Sequence, residues 1–246
     1  MKFLLITLFL LSAVFLLPDF ASADVTFLSV QSSAADASSY TFSAVDLGAA
    51  AGDRYIIISC SALSSSRNIT TVTIGGVAVT EFSITGIDTF NIMGYANVPT
   101  GTTGDVVVTL DAGGTSAGCG LYRVTGLFST TDDSQDHDAT AGSSTLNLTT
   151  VVAGTQTAFV IAHVMQVNSD STSGTWTELT EQYDTNTEAP NGLYLHGAFK
   201  TYAAGSTIEA VSTPSNSNTQ RGYAVALRYT AGGGGGAVPI EIIWFE

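Results

Sequence analysis

Apolar and polar residues alternate in short runs along most of this chain. The apolar residues either alternate with polar ones or form short blocks rich in β-branched side chains, as in "RYIIISCSA", "DVVVTLD", "TAFVIAHVMQV" and "GYAVALRY". Gly, Asn, Asp and Thr interrupt these runs about every ten residues, a spacing typical of a sandwich or barrel. The pattern predicts an all-β protein with no convincing helix after residue 23.

An internal repeat of about one hundred residues accounts for part of this pattern. "AGDRYIIISC" from Ala51 resembles "AGTQTAFVIA" from Ala153, and a later pair of segments aligns Gly94 with Gly197. Chance similarity between β-sequences is the alternative. With the repeat, each copy holds about four strands. We expect the two four-strand halves to close around one core as a single domain over residues 24–230.

The order of the motifs also resembles a known family. "GD" before an apolar strand, then "TIGG", "PTGTTGDVVVTL", a polar loop and a further apolar strand follow one another between Asp24 and Arg228. In this order the chain resembles the jelly-roll domains of secreted bacterial and phage-encoded proteins, which have a concanavalin-like sandwich. The resemblance implies an extracellular, jelly-roll-like β-sandwich and no particular chemistry.

Residues 1–23 have the features of a secretory leader. Lys2 precedes an apolar run from Phe3 to Leu17, and "ASA" ends the segment with a small-x-small cleavage pattern. We expect cleavage after Ala23 and a protein that is secreted, extracellular or at the cell surface, with no membrane in its mature form. A retained membrane anchor is the alternative.

The charge balance argues against a nucleic-acid partner. The chain carries 7 basic and 21 acidic residues, for a formal net charge of −14. Binding phosphate groups needs clustered basic side chains, and here they are few and scattered. Nucleic-acid binding is therefore excluded as a main function.

Export makes covalent modification of the chain plausible. Cys60 and Cys119 lie in strand-like segments, and an oxidising compartment favours a disulfide between them over two buried free thiols. Asn68 and Asn147 begin Asn-x-Thr acceptor sequons for glycans. Sequons also arise by chance in sequence rich in Asn and Thr.

The sharpest charge cluster is "TTDDSQDHDAT". Its aspartates Asp132, Asp133, Asp136 and Asp138 surround one histidine. Carboxylates this close repel one another, so Ca²⁺ bound by oxygen ligands of a loop would relieve them. The EF-hand pattern is absent, and a solvated linker between the two repeats is the alternative. Apart from this Ca²⁺ and covalent glycans, the sequence predicts no cofactor.

A hydrolase pattern is present but poorly placed. "GTSAG" centres on Ser116 and matches GxSxG, with His163 and His196 downstream. A nucleophile elbow needs a helix after the serine, whereas "CGLYRVTG" follows here and favours a strand. We therefore expect a hairpin turn at Ser116, core positions for both histidines, and a protein that is not an enzyme.

Aromatic residues offer a second candidate chemistry. Trp176, Tyr183, Tyr194 and Tyr202 would suit stacking against a sugar, although aromatics in a sandwich usually belong to the core. A secreted carbohydrate-binding or adhesive module, with surface glycans as partners, is therefore the alternative functional prediction.

The last segment of the sequence favours assembly. Residues 231–237 form a glycine-rich linker containing Gly232, Gly233, Gly234, Gly235 and Gly236. In extended form the following residues 238–246 place four apolar side chains on one face, those of Val238, Ile240, Ile242 and Trp244. Such a strand, left in water, is a ready template for pairing with another chain.

We interpret residues 238–246 as a donor strand that adds to the sheet of an identical subunit. Head-to-tail addition that does not close yields a filament, in a manner similar to pilus and extracellular-fibre subunits. The sequence thus predicts an extracellular structural subunit that forms a homopolymer. Alternatives are a strand that folds back into its own sandwich, a sorting signal, and donation of the N-terminal strand from Val25 instead.

Overall fold

The computed structural model describes residues 24–63, 68–82, 90–126, 134–143, 145–152, 157–169, 173–187, 192–216 and 218–228. These residues form strands and turns, and no helix among them is long and apolar enough to cross a membrane. In chain order the strands are β1 (Asp24–Ser33), β2 (Ala37–Asp46), β3 (Tyr55–Leu63), β4 (Ile69–Ile74), β5 (Val77–Ala78), β6 (Thr80–Glu81), β7 (Asn91–Asn97), β8 (Thr103–Gly114), β9 (Ser116–Thr125), β10 (Ser134–Ser143), β11 (Leu146–Val151), β12 (Ala158–Ser169), β13 (Gly174–Trp176), β14 (Thr180–Asn186), β15 (Gly192–Tyr202), β16 (Thr207–Pro214) and β17 (Asn218–Arg228).

The strands form four antiparallel sheets that belong to two sandwiches. Sheet A has the order β1-β9-β3-β7-β6 and sheet B the order β2-β8-β4-β5. Sheet C follows with β10-β17-β12-β15-β14, and sheet D with β11-β16-β13. Sheet C repeats the order of sheet A strand for strand, and sheet D repeats that of sheet B without a counterpart of the two-residue strand β5. The sequence repeat therefore corresponds to a repeat of a whole sandwich.

Three hydrophobic clusters stack the sheets in the order B, A, C, D. The first cluster lies between sheets A and B, and the third lies between sheets C and D. The second joins the outer faces of sheets A and C, where Tyr122 of the first sandwich packs edge-on against Phe199 of the second. The two sandwiches thus share a buried apolar face.

The central strands are apolar on both sides, which explains this layering. On β3, Ile56 and Ile58 enter the first cluster while Ile57 enters the second. On β12, Val160 enters the third cluster and Phe159 the second. Strands buried on both faces have continuous apolar runs, whereas strands with one wet face alternate. Sheets A and C are therefore the inner layers.

The predicted all-β sandwich is confirmed, but its internal organisation differs from our expectation. Each copy has eight or nine strands instead of about four, and each has its own core in addition to the shared face. The missed strands are very short, such as "GTW" of β13, or mostly polar, such as "TEQYDTN" of β14. Their apolar content was too low to signal a strand.

The predicted alignment of Gly94 with Gly197 is wrong. Gly94 lies opposite Ile58, whose side chain belongs to the first cluster. Gly197 lies opposite His163, on the face between the two sandwiches. Because side chains alternate with a period of two, an odd shift in the alignment exchanges the two faces of a strand.

A disulfide joins the middle strands of sheet A. Cys60 on β3 and Cys119 on β9 lie directly opposite each other in the ladder and are bonded. In sheet C, the corresponding positions of β12 and β17 hold the paired residues Ala162 and Ala224. The second copy thus packs two methyl groups where the first has a covalent bond.

Candidate functional site

Several predicted functional residues lie outside the described part of the chain. These are the leader of residues 1–23, Asp132 and Asp133, the glycine-rich linker and the donor strand of residues 238–246. The structure adds nothing to these predictions, and they stay predictions.

The two described aspartates of the acidic cluster lie on β10, an edge strand of sheet C. Asp136 lies opposite Ala224 and Asp138 opposite Gly222. The Asp136 Oδ2 atom accepts a hydrogen bond of 2.6 Å from the backbone N–H of Thr149 on β11. This carboxylate therefore has a partner within the protein, and calcium binding stays a prediction.

Aspartate carboxylates cap backbone N–H groups at several sheet edges. Asp136 caps Thr149 on one edge strand of sheet D, and Asp184 Oδ2 accepts the N–H of Gly174 on the other at 3.1 Å. In the first sandwich, Asp105 Oδ1 accepts the N–H of Ala44 at 2.9 Å. An edge strand whose N–H groups already have partners is a poor template for an added strand.

The long edge strands are also interrupted. The ladders of β1, β2, β10 and β14 with their neighbours each contain at least one register shift. Bulges twist an edge and break the regular row of donors and acceptors, which disfavours edge-to-edge association. Together with the aspartate caps, these shifts protect most of the folded body.

One edge retains a regular open stretch. Residues 39–42 of β2 pair with β8 without a shift. On β8, the backbone N–H and C=O groups of the odd-numbered residues point toward β4. For example, the carbonyl of Asp105 accepts a hydrogen bond from the N–H of Gly75. The even-numbered residues therefore bond to β2, where Tyr40 lies opposite Val108. The backbone groups of Thr41 consequently point away from sheet B, toward solvent.

Both predicted glycan acceptors are on the surface. Asn68 directly precedes β4, and Asn147 lies on β11, and both are exposed. The geometry is compatible with modification at either position, and glycosylation stays a prediction.

The GxSxG serine lies in a hairpin. Ser116 is the first residue of β9, directly after the single residue that joins β8 to β9, and it is 3% exposed. A strand and not a helix follows the serine, so the strand–turn–helix geometry of a nucleophile elbow is missing at this site.

Two of the four aromatic residues considered for sugar binding are interior. Tyr183 and Tyr194 are buried, whereas Trp176 and Tyr202 are half-buried. Buried rings cannot stack on a sugar. Of these four residues, Trp176 and Tyr202 therefore keep partly exposed rings for the carbohydrate-binding alternative.

A buried polar network crosses the apolar face between the sandwiches. His163 of sheet C has its Nε2 atom 2.8 Å from the Ser61 hydroxyl oxygen of sheet A and its Nδ1 atom 2.6 Å from the Tyr183 hydroxyl. Burial lowers the pKa of His163 to about 3, so the imidazole is neutral in the folded protein. The expectation of a hydrogen-bonded core histidine is confirmed.

The hydrogen-bond partners assign one tautomer to this histidine. Ser61 donates its hydroxyl proton to Asn91 Oδ1 at 2.6 Å, so its oxygen accepts from His163 Nε2–H. His163 Nδ1 is then the acceptor for the Tyr183 O–H. Each of the three side chains bonded in this way, those of Ser61, His163 and Tyr183, thus has a hydrogen-bond partner, as buried polar groups usually do.

A second polar cluster lies in the second sandwich and is built from β14 and β15. His196 Nε2 is 3.2 Å from Glu181 Oε2 and 3.5 Å from Asp184 Oδ1. The three ligand-type atoms all lie within 4.8 Å of one another. We call Glu181, Asp184 and His196 the acid–histidine cluster.

The surroundings hold this cluster in place. Tyr194 donates its hydroxyl to Asp184 Oδ1 at 2.5 Å, and His196 Nδ1 is 3.1 Å from the Ser212 hydroxyl. Burial lowers the pKa of His196 to about 4, although Asp184 acts in the opposite direction. The pKa of the Glu181 carboxyl is raised, mainly because the group is partly buried and also because Asp184 lies close to it.

The sequence analysis missed Glu181 and Asp184 because their spacing is unusual for one face of a strand. Residues three apart normally point to opposite faces. A register shift between Glu181 and Tyr183 inserts one extra residue, so Glu181 lies opposite Ala198 and Asp184 opposite His196. Both partners belong to one face of β15. A bulge of this kind has no signature in the sequence "TEQYDTN".

Comparison with known proteins assigns no family. No protein family matches the chain, and no curated protein matches it. Among solved structures, a β-glucuronidase 2 of Bacteroides uniformis is 11% identical over 72% of this chain, at a TM-score of 0.19. BuGH86wt in complex with neoagarooctaose is 10% identical over 72% of this chain and 32% of its own, at a TM-score of 0.24. The PBSX exported protein XepA is 9% identical over 83% of this chain and 86% of its own, at a TM-score of 0.21.

These similarities are too weak to support an argument about function. The chain spans about a fifth of the length of the β-glucuronidase it matches, which it covers to 21%. At such identities and TM-scores, neither a substrate nor a partner transfers to this chain.

Proposed function

We propose that this protein is an extracellular structural subunit whose residues 238–246 add as a strand to an identical neighbour, building a filament. Export through the leader of residues 1–23 and a jelly-roll relationship of the folded body are parts of the same proposal. The carrying observation is that the two sandwiches match strand for strand, apart from β5, before the linker begins.

Among the described residues, β5 is the strand of the first copy that lacks a counterpart in the second, and its two residues are far shorter than a nine-residue strand. β17, the last described strand, lies between β10 and β12 in the interior of sheet C. The counterpart of every longer strand of the first copy is already present in the second. We therefore expect the apolar side chains of residues 238–246 to be buried by strand addition to a sheet of another subunit.

The protected edges of the folded body are consistent with assembly that depends on residues 238–246. Bulges and aspartate caps disfavour direct pairing between folded bodies, so association depends on the strand that lacks such protection. Burying the four apolar side chains of one face would stabilise the contact by roughly 1.5–3 kcal/mol each before ordering costs.

β2 of the first sandwich is the acceptor edge in this proposal. Its residues 39–42 are regular, and Thr41 points its backbone outward. In the sequence, the linker and the donor segment follow β17 of the second sandwich, whereas the acceptor edge belongs to the first. Contacts between different surfaces of identical subunits are head-to-tail and propagate when the rotation does not close.

Removal of the donor strand tests the proposal. The chain without residues 238–246 should remain folded and run as a monomer in size-exclusion chromatography with light scattering, whereas the full chain forms polymers visible by electron microscopy. Ile240→Glu with Ile242→Glu should act like the deletion, and Glu241→Gln on the opposite face is the matched control. Polymers of unchanged length from the truncated chain would refute strand donation.

A carbohydrate-binding module remains the second candidate. It depends on the half-buried Trp176, whose indole N–H is buried without a hydrogen-bond partner among the described residues. Binding to a glycan array that survives deletion of residues 238–246 and is lost in Trp176→Ala would favour this candidate over the filament.

A further inference from the structure

The acid–histidine cluster combines one imidazole nitrogen with two carboxylate oxygens on neighbouring strands. It is not a run of surface acids, because the histidine is fully buried and turns its Nε2 atom toward both carboxylates. We propose that Glu181, Asp184 and His196 bind a Zn²⁺ ion. This site is independent of strand donation and of the acidic cluster on β10.

The separations between the imidazole nitrogen and the two carboxylate oxygens fit zinc. Tetrahedral zinc with bonds of about 2.0–2.1 Å places neighbouring ligand atoms about 3.3 Å apart. The distances from His196 Nε2 to the two carboxylates are 3.2 Å and 3.5 Å. An ion can therefore enter between the three atoms with small side-chain adjustments.

Contacts behind the ligands also match a metal site. Ligating histidines usually donate their second ring N–H to an oxygen, and the Ser212 hydroxyl lies 3.1 Å from His196 Nδ1. Ligating carboxylates are usually hydrogen-bonded in turn, and Asp184 accepts from the Tyr194 hydroxyl and from the N–H of Gly174. The serine hydroxyl can accept from Nδ1–H when the metal holds Nε2, so the imidazole needs only a change of tautomer.

The fit of the backbone around the cluster is close. A Cβ atom at Gly174 would lie 2.7 Å from the Cε1 atom of His196, so glycine is the residue that lets β13 approach the imidazole. The Trp176 ring lies 4.9 Å from the same imidazole. Its indole N–H is buried and has no hydrogen-bond partner among the described residues.

The ion has a route from solvent and an open position. The Glu181 side chain is 41% exposed and the Asp184 side chain 18% exposed. Three protein ligands leave a fourth tetrahedral position, which water would fill. One nitrogen and two oxygens suit zinc better than Ca²⁺, which prefers six to eight oxygen ligands.

Isothermal titration of the full chain, made without a histidine tag and freed of metal by a chelator, tests the site. Zn²⁺ at pH 7 should bind one equivalent, and Glu181→Gln and Asp184→Asn should each weaken this binding at least tenfold. Glu209→Gln changes an exposed acid on β16 and is the matched control, with binding as in the parent chain. Co²⁺ in place of Zn²⁺ should give the visible absorption of a four-coordinate ion.

Competition separates this site from general attraction of cations to an acidic protein. A hundredfold excess of Ca²⁺ should leave the Zn²⁺ affinity within about twofold. Because Glu181 is exposed, its substitution should leave the circular dichroism spectrum unchanged. Equal Zn²⁺ affinity in Glu181→Gln and Glu209→Gln, or no saturable binding to the parent chain, would overturn the assignment.

Discussion

The Nε2 atom of His163 lies 2.8 Å from the hydroxyl oxygen of Ser61, and this contact joins the second sandwich to the first. The two residues belong to β12 and β3, the middle strands of sheets C and A. A neutral imidazole fits here because its partners are hydroxyl groups that can donate or accept. A protonated imidazole would have to give up the acceptor at Nδ1 and carry a charge into an apolar interface.

Stability should therefore fall in mild acid. The unfolded chain binds a proton at His163 below about pH 6.5, while the folded protein resists protonation down to its pKa of about 3. Between these values unfolding takes up a proton at this histidine, so the contribution of His163 to the free energy of unfolding decreases by about 1.4 kcal/mol per pH unit as pH falls. His196, whose pKa is lowered to about 4, adds to the decrease in both the parent chain and the variant considered next.

Urea unfolding at pH 7 and pH 5 measures this dependence. We expect the His163→Gln variant, which keeps an amide donor and acceptor, to lose about 2 kcal/mol less than the parent chain over that interval. An identical pH dependence in the two proteins would show that His163 is not the group responsible.

The absence of a side chain at Gly197 makes room for Tyr183, the tyrosine that bonds His163. Gly197 on β15 lies between His163 and Tyr183 in the ladders, and a Cβ atom there would overlap the Tyr183 ring. Gly197→Ala should destabilise the protein by about 1–3 kcal/mol, because the ring is confined between both sandwiches. Gly113→Ala, where a Cβ would meet open space, is the control and should stay within about 0.5 kcal/mol.

The cause can be checked by a double-mutant cycle in thermal or urea unfolding. Tyr183→Ala removes the ring, so adding Gly197→Ala to it should cost much less than Gly197→Ala alone. Additive costs would show that the overlap is not what makes alanine unfavourable at Gly197.

The disulfide invites a comparison between the two copies. The paired residues Cys60 and Cys119 correspond to Ala162 and Ala224 of the second sandwich, which folds without a bond there. Cys60→Ala with Cys119→Ala should therefore still fold. Its free energy of unfolding should drop by about 4 kcal/mol, since the bond closes a loop with a sequence separation of 59.

Reduction of the parent chain is the check on this comparison. Dithiothreitol should lower the unfolding midpoint of the parent chain and leave that of the double alanine variant unchanged. A double variant that fails to fold would show that the cysteine pair does more than restrain the unfolded chain.

The residues that were predictable from the sequence differ in kind from those that were not. Cys60 and the central apolar strands were visible because composition and periodicity report burial directly. Glu181 was invisible, since its placement beside His196 depends on a one-residue bulge. The sequence also did not reveal that each copy forms its own sandwich. A continuous apolar run indicates a strand that is buried on both faces, but it does not indicate which sheet packs on each face.

A buried arginine is another feature that composition does not reveal. Arg54 is fully buried. Its guanidinium donates to the backbone carbonyls of Val98 at 2.6 Å and Thr100 at 2.8 Å. It also donates to the carbonyls of Leu47 and Gly48, the latter at 2.9 Å. It thereby joins two loops at one end of the first sandwich. Five N–H donors in a rigid plane suit this role, which a lysine cannot fill.

Replacement of this arginine should be costly. Arg54→Met leaves buried carbonyl groups without donors, so the free energy of unfolding should fall by at least about 3 kcal/mol, with a smaller loss in Arg54→Lys. Arg123→Met is the control and should cost about 1 kcal/mol or less, because the hydrogen bonds of the Arg123 side chain within the described part of the chain go to the exposed Asp24 and to the carbonyl of Ala49. Equal losses in denaturant titrations would contradict the structural role given to Arg54.

The acceptor edge can be tested by a single substitution. The N–H of Thr41 points away from β8, so Thr41→Pro removes a donor that the folded subunit does not use in its own ladder. Strand addition needs that donor. We expect Thr41→Pro to fold with an unfolding midpoint near that of the parent chain and to stop polymer growth in light scattering. Thr41→Val keeps the N–H and should assemble normally.

A mixing experiment separates loss of the acceptor from general damage. Thr41→Pro still carries the donor strand, so it should cap parent filaments and shorten them in proportion to the amount added. The chain without residues 238–246 has the reverse defect, an intact β2 and no donor. Because each variant offers one half of the contact, equimolar mixing should give dimers and no longer species. Filaments of parental length from Thr41→Pro alone would show that β2 is not the acceptor. The acceptor would then be another edge strand, which would have to lose its bulge or its aspartate cap before pairing.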